Sequence, residues 1–562
     1  MLGLTRGRLL GLGALTAVIA SAACQVLAGI DEKTAAVVVP DATTEPDGAV
    51  APECTTNAEC IAARSTGYVC VKDTGRCQSL FSAECDTILG GTLTATPAEK
   101  QDLYASDDTL FLGLVMDLKG AGKSAGIARR QGVALALDAI AKNRGVPGGP
   151  GGRRRPVAVV ACSETKDDGS SDPKVPARHL IDDLHVPAII GASNSDTTSE
   201  LFFNAALPGT LVFAPNALSS RLSTPQDNGL FWRTSTASPA HAQAMRQQIG
   251  ALYTDLVTNR GVTAREARLA VVYLNNGFGQ DLVDQIMPAL TWNEASVDDA
   301  ASANGALCTS TPCLGQRRVL RLAYTDTSPE ALAALATELK FFFEPDLVVL
   351  VGGADAISIA RSYEDIATTE PAVFSPSYLF AQGSATTDLT TILTANAGDA
   401  GLRPRVRGVR QRLAADEPTV FAGAYSAAFP AGPPNTIGVP GAHDIAYLLA
   451  YAAAAAPGDA GAPLTGARLA EGLKRVLDGT SAATFRTSAD AVPAATDALA
   501  AGQTINVKGY SYTEPFDLDA GEAPSKLDVF CVSGSNALSA SGQTYDPFLD
   551  ATTGTYACPS SH

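Results

Sequence analysis

The feature that most constrains the fold is an alternation of apolar runs and amphipathic stretches, which begins near Thr109 and continues through most of the chain. The apolar runs have the length of strands and contain few polar residues. The stretches between them have helical periodicity. Strands that are apolar on both faces and alternate with helices indicate parallel sheets covered on both sides. The pattern therefore predicts an α/β fold.

The number of predicted strands exceeds what one ordinary doubly wound sheet holds. We expect two Rossmann-like lobes with a cleft between them, because ligands of such folds bind at the carboxyl ends of the strands. The predicted strands are LFLGLVM, RPVAVVAC, VPAIIGA, GTLVFAP, RLAVVYL, RRVLRLAY, DLVVLVGG and SPSYLFAQ. The Ala-rich run IAYLLAYAAAAA has the length of a buried helix and is too short to span a membrane.

Residues 1–23 have the pattern of a secretory signal peptide. Arg6 and Arg8 precede an apolar run that ends on small residues just before Cys24. This arrangement resembles the acylation site of bacterial lipoproteins, although Ser21 stands where leucine is usual, and plain secretion is the alternative. Acylation of Cys24 predicts an extracytoplasmic lipoprotein anchored to the membrane, facing the periplasm or the cell surface. Residues 24–53 are polar and aperiodic, which predicts a flexible linker.

Cysteine usage also indicates export. Setting Cys24 aside leaves ten of the 11 cysteines, an even number that predicts disulfides in an oxidising compartment. Five lie in a Cys-rich segment, residues 54–86, which we predict to be a small disulfide module; a zinc site is disfavoured because paired C-x-x-C knuckles and a nearby histidine are missing. The pairing within the segment stays open. An odd number of cysteines in the segment needs one partner outside it, and the candidates for that bridge are Cys85 and Cys162. The other expected pairs are Cys308 with Cys313, in a local loop, and Cys531 with Cys558, near the C-terminus.

The stretch KGAGKSAG, residues 119–126, resembles the start of a phosphate-binding loop. Such a loop needs a glycine five positions before Gly122, and that position holds Asp117, whose charge would repel phosphates. An exported chain also meets no supply of ATP. We therefore predict a tight strand-to-helix turn, with Lys123 and Ser124 near the mouth of the cleft.

Charge and motif content exclude several function classes. The formal net charge of −17 argues against a nucleic-acid partner, which requires clustered Lys and Arg. The five histidines are scattered, without metal-ligand spacing, and no nucleophile elbow is present. We therefore expect no enzyme, no catalytic residues, no cofactor and no metal.

The order of several segments is similar to that of a known family. These segments are FLGLVMDLKGAGKSAGIARRQGVALALDAI, RPVAVVACSETKDD, VPAIIGASNSDTT, LVFAPNALSSRL, FWRTSTAS, LAVVYLNNGFGQDLV, DLVVLVGGADA, YLFAQGSA, GAHDIAYLLAYA and FDLDAGEAPSKLDVFCV. Their order resembles the type I periplasmic binding proteins, and more narrowly the substrate-binding proteins of branched-chain amino-acid (leucine/isoleucine/valine-type) ABC importers. The resemblance spans about residues 109–535.

The resemblance implies two lobes joined by three crossing strands that act as a hinge. Lobe 1 would comprise residues 109–235 and 408–490, and lobe 2 residues 236–407 and 491–562. It implies a monomer that captures a small polar ligand, an amino acid or similar carboxylate, between the lobes and delivers it to an ABC permease.

The loop after VPAIIGA is the expected carboxylate site. A strand ends near Gly191 and a helix begins near Thr197, so free N–H groups and hydroxyls meet there. The resemblance assigns the ligand carboxylate to Ser195, with its neighbours Ser193, Asn194 and Thr197. The alternative is that Ser195 or Asp196 caps its own helix.

Two further loops complete the expected site. Asn216 and Ala217 match positions where the family offers backbone groups, and Leu218 stands where a threonine hydroxyl is common, with Ser219 beside it as a replacement. In lobe 2, Phe278 matches an aromatic residue that closes over the ligand; ordinary burial is the alternative.

Two lobe 2 positions depart from the family pattern. Gln382 stands where an acidic partner for the ligand ammonium is expected, and Ala354 stands where an aromatic residue is frequent. The missing charge could come from Asp196, Asp281 or Asp355, each of which is also typical of a solvated loop. Two alternatives therefore stay open: a sensor or receptor ectodomain with the same fold, and a structural surface lipoprotein with a degenerate cleft.

Overall fold

The structure is a computed structural model. It describes residues 52–120, 122–149, 151–207, 209–223, 227–263, 266–299, 304, 307–310, 318–369, 375–386, 388–390, 402–413, 418–432, 434, 436–457, 463–512 and 514–559. Residues 52–562 belong to one compact unit. The predicted signal peptide, Cys24 and the predicted linker as far as residue 51 lie outside the described residues. No helix in the described part of the chain is both long enough and apolar enough to cross a bilayer.

Strands and helices alternate as the sequence predicts. The strands are β1 Tyr68–Val71, β2 Arg76–Ser79, β3 Cys85–Gly90, β4 Leu110–Met116, β5 Val146–Pro147, β6 Arg154–Arg155, β7 Val157–Ser163, β8 Ala188–Gly191, β9 Leu211–Ala214, β10 Phe231–Arg233, β11 Leu269–Leu274, β12 Thr291–Trp292, β13 Ala295–Ser296, β14 Val319–Tyr324, β15 Leu347–Val351, β16 Ser377–Phe380, β17 Val406–Gln411, β18 Thr484–Arg486, β19 Asn506–Lys508, β20 Leu527–Val532, β21 Leu538–Asp546 and β22 Ala551–Thr553. The α-helices are α1 Asn57–Ala63, α2 Pro97–Ala105, α3 Lys123–Lys142, α4 Lys174–Arg178, α5 Ser195–Leu201, α6 Ser238–Thr258, α7 Gly277–Ile286, α8 Pro329–Glu338, α9 Ala354–Thr369, α10 Pro418–Ala428, α11 Val439–Ala455, α12 Gly466–Val476 and α13 Val492–Ala500.

The first sheet has the strand order β10-β9-β8-β4-β7-β3. Strands β10, β9, β8, β4 and β7 are parallel to one another, and the edge strand β3 is antiparallel to its neighbour β7. The strand β4 is apolar along its length, and Leu112 and Leu114 are fully buried. Helix α11 packs against this sheet, and all of its residues are buried, which confirms the buried helix predicted for the Ala-rich run. This sheet and its helices form the core of lobe 1.

The second sheet has the order β14-β11-β15-β16-β17-β20-β21-β22. Strands β14, β11, β15, β16 and β17 pair in parallel, in that order. Strands β20, β21 and β22 continue the sheet with antiparallel pairing. Adjacent residues of one strand enter different cores, because side chains alternate between the two faces of a sheet. For example, Val271 belongs to the core on one face and Val272 to the core on the other. Both faces are therefore covered, as predicted for lobe 2.

The packing sets the lobe boundaries differently from the sequence expectation at two places. Strand β17 belongs to the second sheet, so the chain returns to lobe 1 after Gln411 rather than at 408. Helix α13 and the residues up to Ala523 pack in the lobe 1 core, and the last return to lobe 2 comes just before Leu527 rather than at 491. Local sequence does not encode this, because an amphipathic helix such as α13 fits either core.

The Cys-rich segment is a disulfide module attached to lobe 1. It contains the bridges Cys54–Cys70 and Cys60–Cys77, and the outward bridge Cys85–Cys162 joins the neighbouring strands β3 and β7. The bridge Cys531–Cys558 fixes the C-terminal segment to β20. Cys308 is also disulfide-bonded, and its expected partner Cys313 lies outside the described residues.

The disulfide module contacts lobe 1 at the amino ends of its parallel strands. Asn57 donates from its backbone N–H to Asp107, at 2.7 Å, and from its side chain to the carbonyl of Tyr104, at 3.0 Å; both partners lie just before β4. Asp73 lies 2.9 Å from His185, just before β8. These contacts lie at the edge opposite to the carboxyl ends of the strands.

Candidate functional site

Polar loops from the two lobes meet at the carboxyl ends of the parallel strands. This is the edge at which open α/β sheets bind ligands. The backbone N–H of Gly277, which follows β11 in lobe 2, donates to the Asp196 carboxylate, which follows β8 in lobe 1, at 2.6 Å. Each loop at this edge has one of the following residues within two positions of the end of its strand: Asp117, Glu164, Ser193 and Asn216 in lobe 1, and Asn275, Gly352 and Gln382 in lobe 2.

The GAGK stretch forms the tight turn between β4 and α3 that the sequence predicts. The Asp117 carboxylate accepts hydrogen bonds from the backbone N–H groups of Gly120, at 2.6 Å, and Gly122, at 2.7 Å. A Cβ atom at Gly126 would clash with the Asp117 carbonyl oxygen, so this position requires glycine. The donors that would hold a phosphate in a nucleotide-binding loop are thus engaged with the protein's own carboxylate. Lys123 and Ser124 are exposed in the first turn of α3.

A buried charge cluster lies behind this turn. Arg129 on α3 donates from Nε to the Ile437 carbonyl, at 2.9 Å, and from Nη1 to the Ser193 carbonyl, at 3.0 Å. Glu164, directly after β7, accepts from the Ser193 N–H at 3.2 Å. Burial lowers the pKa of Arg129 to about 10 despite the nearby Glu164 and Asp117. Burial likewise raises the pKa of Glu164 to about 7, and Asp117 adds to this rise while Arg129 and the Ser193 bonds oppose it.

The β8 loop and the β9 loop are joined through Ser195. Its buried hydroxyl accepts from the backbone N–H groups of Leu218, at 3.0 Å, and Ser219, at 3.1 Å. The helix cap is Asn194, whose side chain accepts from the N–H groups of Asp196 and Thr197, so α5 begins at Ser195 and neither Ser195 nor Asp196 is the cap. The structure therefore brings the predicted residues of both loops together, with Ser195 as the link between them.

The other predicted residues of these loops have mainly backbone or loop-fixing contacts. Ser193 Oγ accepts from the Asp117 N–H at 2.7 Å, and the Asn216 side chain donates to the Ser193 carbonyl at 3.3 Å. The carbonyl oxygens of Ala217 and Ser219 accept from the buried Arg233 guanidinium, at 3.1 and 2.8 Å. Lobe 1 therefore presents a loop edge that is already fixed by its own hydrogen bonds.

Helix α7 of lobe 2 makes a second contact with lobe 1. Its Asp281 carboxylate accepts from the N–H of Ser220, at 2.8 Å, and from the Ser220 hydroxyl, at 2.8 Å. It also accepts from the hydroxyl of Ser238, at the start of α6. Gln285, one turn later, donates to Asp281 and to both serine hydroxyls. Asp196–Gly277 and Ser220–Asp281 together hold the two lobes close on this side.

The predicted lobe 2 residues have different environments. Phe278 is half-buried against the lobe 2 core, as ordinary packing predicts. Ala354 is exposed at the first position of α9. Next to it, the Asp355 carboxylate accepts from the Tyr324 hydroxyl and from the Gly353 N–H, the latter at 2.8 Å. Burial and the Asp355 carboxylate raise the pKa of the Tyr324 hydroxyl far above its ordinary value.

Gln382 belongs to the hinge. Its side-chain oxygen accepts from the backbone N–H of Gln411 at 2.7 Å. The Gln411 side chain donates to the carbonyls of Thr234, at 2.8 Å, and Ser511, at 2.6 Å, and accepts from the Thr236 N–H at 3.1 Å. Thr234 and Thr236 lie on the first crossing between the lobes and Gln411 on the second. Gln382 and Gln411 thus fix the crossings to one another.

The first and third crossings are joined by a buried ion pair. Arg233, which is fully buried at the end of β10, donates to the carboxylate of Glu522. The Ser525 N–H donates to the Thr236 hydroxyl at 2.9 Å. These bonds leave the lobes connected by three short, mutually fixed segments.

Sequence reasoning missed Arg129 and Glu164, two buried charged residues of lobe 1 that lie next to the β8 loop. The signal was present in both cases. Arg129 falls in helical register with Val133, Ala136 and Ile140, which are all buried, so it lies on the apolar face of its helix. Glu164 is the first charged residue after a fully apolar strand, at the carboxyl end where ligands bind.

Comparison with solved structures identifies the fold. A leucine-binding protein from Thermotoga maritima matches with a TM-score of 0.50 at 14% identity, over 78% of this chain and 99% of that chain. The chain has the type I periplasmic binding fold. A branched-chain amino acid transporter substrate-binding protein from Streptococcus pneumoniae, solved with isoleucine, gives 0.49 at 15% identity, over 75% of this chain and 95% of that chain. No protein-family model and no curated protein matches the sequence.

Proposed function

We propose that this protein is an extracytoplasmic solute-binding protein that captures a small polar ligand in the cleft between its lobes. One observation carries the proposal: the carboxyl ends of two parallel sheets meet across the cleft, and three short crossings connect the lobes. A ligand that contacts both edges stabilises the closed arrangement because it gains contacts that the open arrangement lacks. The protein binds and releases its ligand without chemical conversion.

The expected ligand is an amino acid or a similar carboxylate, and the polar loops at the cleft edge support a small polar ligand. A ligand of that size, bound efficiently, reaches roughly micromolar affinity. The residues proposed to surround it are the loop residues Ser193, Asn194, Ser195, Thr197, Asn216, Ala217, Leu218 and Ser219 of lobe 1 and Phe278, Ala354 and Gln382 of lobe 2. Several of these act through the loops they fix, and Ser195 is the main example.

The proposed cellular role is delivery of the ligand to an ABC permease. The predicted signal peptide and Cys24 support export and lipid anchorage. The disulfide module supports export too, because disulfides persist in oxidising compartments. The module packs at the edge of lobe 1 opposite to the cleft, next to the start of the described chain, which suits an attachment between the linker and the binding lobe.

A thermal-shift screen of the full chain tests the proposal. The panel contains amino acids, amides, amines, small carboxylates and nucleosides. A bound ligand raises the unfolding free energy by about 2.7 kcal/mol at a hundredfold excess over its dissociation constant. We expect at least one class to raise the midpoint with saturable dependence on concentration. If no class does so, the protein has a degenerate cleft and the proposal fails. Loss of uptake of the identified ligand on deleting the gene would then distinguish import from sensing.

A further inference from the structure

Six backbone donors at the cleft edge already have acceptors within the protein. The N–H groups concerned are those of Gly120, Gly122, Leu218, Ser219, Gly277 and Gly353, which donate to Asp117, Ser195, Asp196 or Asp355. A ligand carboxylate would have to compete for these six donors, because exposed N–H groups at strand-to-helix turns are the usual anion sites. Three of the four acceptors are carboxylates, so the protein's own anions already bond to the N–H groups that an anionic ligand would use.

Glu164, by contrast, is an acceptor at the cleft edge with few donors around it. It is buried at the carboxyl end of β7, and its Oε2 accepts from the Ser193 N–H at 3.2 Å. The carboxylate also interacts with the Ser193 hydroxyl, and no other hydrogen-bond donor reaches it in the part of the chain that the structure describes. No ion pair within 4 Å involves Glu164 among those residues, because the Nε and Nη1 donors of Arg129 bond to carbonyl oxygens. A buried carboxylate bonded only to Ser193 has acceptor capacity left for a cationic or hydrogen-bonding partner.

The balance of charge around Glu164 favours a cation. Asp117 and Arg129 face it from the β4–α3 turn and from α3, and Ser193 faces it from the β8 loop without charge. The turn that follows Glu164 carries Lys166 and Asp172, which lie 3.6 Å apart and compensate each other. When Glu164 is ionised, two carboxylates face one guanidinium, and an added positive charge neutralises the cluster.

We propose that Glu164 binds the cationic nitrogen of the ligand, and that the cleft therefore accepts primary amines that have no carboxylate group. This inference rests on the proposed solute-binding function and names the ligand class of the same site. It places the charged recognition group on lobe 1, at a position outside the residues expected from the sequence. Glu164 of lobe 1 then provides the counter-charge of the ligand nitrogen, and lobe 2 closes over that nitrogen.

The proposal has a pH signature. Burial holds the pKa of Glu164 at about 7 in the free protein, so part of the population is protonated at neutral pH. A bound ammonium favours the ionised carboxylate, so binding releases a proton below this pKa. The affinity for an amine should rise between pH 6 and pH 8 and level off above.

Three matched probes test the ligand class by calorimetric titration of the full chain at pH 8. Isoamylamine carries only the ammonium, 4-methylpentanoate only the carboxylate, and leucine both. We expect isoamylamine to bind at least as tightly as leucine and 4-methylpentanoate to give no heat. Glu164→Gln should weaken amine binding at least about tenfold, because a charge-assisted bond becomes a neutral one. The exposed Glu330→Gln serves as the matched control and should leave it unchanged.

The outcomes separate this inference from the proposed function. Binding of 4-methylpentanoate without isoamylamine, or of leucine alone, would overturn the amine class and leave the solute-binding function intact. Amine binding that is unaffected by Glu164→Gln would overturn the role of Glu164. If neither these probes nor any class of the thermal-shift panel binds, both proposals fail. A folded Glu164→Gln variant is expected, because its amide oxygen can still accept from the Ser193 N–H.

Discussion

The first strand-to-helix turn of lobe 1, between β4 and α3, and that of lobe 2, between β11 and α7, share one geometry. They differ in which lobe supplies the carboxylate that accepts from the backbone N–H groups of the turn. In lobe 1 a Cβ at Gly126 would clash with the Asp117 carbonyl, and in lobe 2 a Cβ at Gly279 would clash with the Leu274 carbonyl. The lobe 1 turn is filled by its own Asp117, whereas the lobe 2 turn receives Asp196 from the other lobe. The lobe 1 turn is thus complete by itself, whereas the lobe 2 turn, which its own Asn276 also caps, takes one acceptor from lobe 1.

A second contrast concerns one carboxylate of each lobe at the cleft edge. Glu164 of lobe 1 is bonded only to Ser193 in the described chain, whereas Asp355 of lobe 2 is engaged with Tyr324 and Gly353. On this basis we propose lobe 1 as the recognition side of the cleft and lobe 2 as the closing side. The predictions below test it in order of expected effect.

The shared turn geometry should make Gly126→Ala and Gly279→Ala the most damaging variants. Each forces a methyl group into a backbone carbonyl, and we expect each to lower the free energy of unfolding by about 3 kcal/mol or more. Gly250→Ala on α6 is the control, since its Cβ meets no atom within 4 Å and should stabilise by about 0.5–1 kcal/mol. Urea denaturation measures all three. Equal stability of Gly126→Ala and Gly250→Ala would contradict the described turn.

Glu164→Gln should change the pH dependence of stability. The folded pKa of Glu164 lies above its ordinary 4.5, so its favourable contribution is complete below 4.5 and is lost as pH rises through about 7. This difference corresponds to roughly 3 kcal/mol. We expect the variant to match the parent at pH 4.5 and to exceed it by up to that amount at pH 8, as measured by urea denaturation. A constant difference between these pH values would show that Glu164 is not held protonated by burial.

Asp117→Ala and Asp196→Ala separate the self-contained turn from the shared one. Asp117→Ala leaves the Gly120 and Gly122 donors without their acceptor and should cost about 2 kcal/mol of unfolding free energy. Asp196→Ala removes one contact between the lobes and should cost less than about 1 kcal/mol. It should instead raise the radius of gyration of the free protein in X-ray scattering. An unchanged radius would show that this contact does not hold the lobes together.

Tyr324→Phe should have a small effect on stability and the smallest effect on ligand binding. It removes one hydroxyl that donates to Asp355 and should cost about 1 kcal/mol of unfolding free energy. Ligand affinity should stay within about twofold, because the pair is internal to lobe 2. A large loss of affinity would mean that lobe 2 contributes to recognition.

The sequence predicts the elements that periodicity encodes and fails where long-range packing decides. The apolar strands and the buried helix α11 are predictable because nearly every residue in them is apolar. Strand β3 begins at the end of the Cys-rich segment, before the alternating pattern that starts near Thr109, so only its pairing with β7 reveals it as part of the first sheet. The assignment of α13 to lobe 1 depends on contacts that no local pattern encodes.

The site was predictable in its loops and only partly in its chemistry. The β8 and β9 loops do meet, because the carboxyl ends of neighbouring parallel strands lie side by side. The engagement of Ser195 with Leu218 and Ser219, and that of Gln382 with Gln411, could not be foreseen, because both depend on how loops distant in sequence settle against each other.

The most direct test of the account compares the two lobes in one binding experiment. Isoamylamine is titrated at pH 8 into the parent chain, Glu164→Gln and Asp355→Asn, the last of which can still accept from Tyr324. The account predicts that Glu164→Gln loses at least about tenfold in affinity and that Asp355→Asn stays within about twofold. Loss of affinity in Asp355→Asn with full binding by Glu164→Gln would place recognition on lobe 2 and contradict the account.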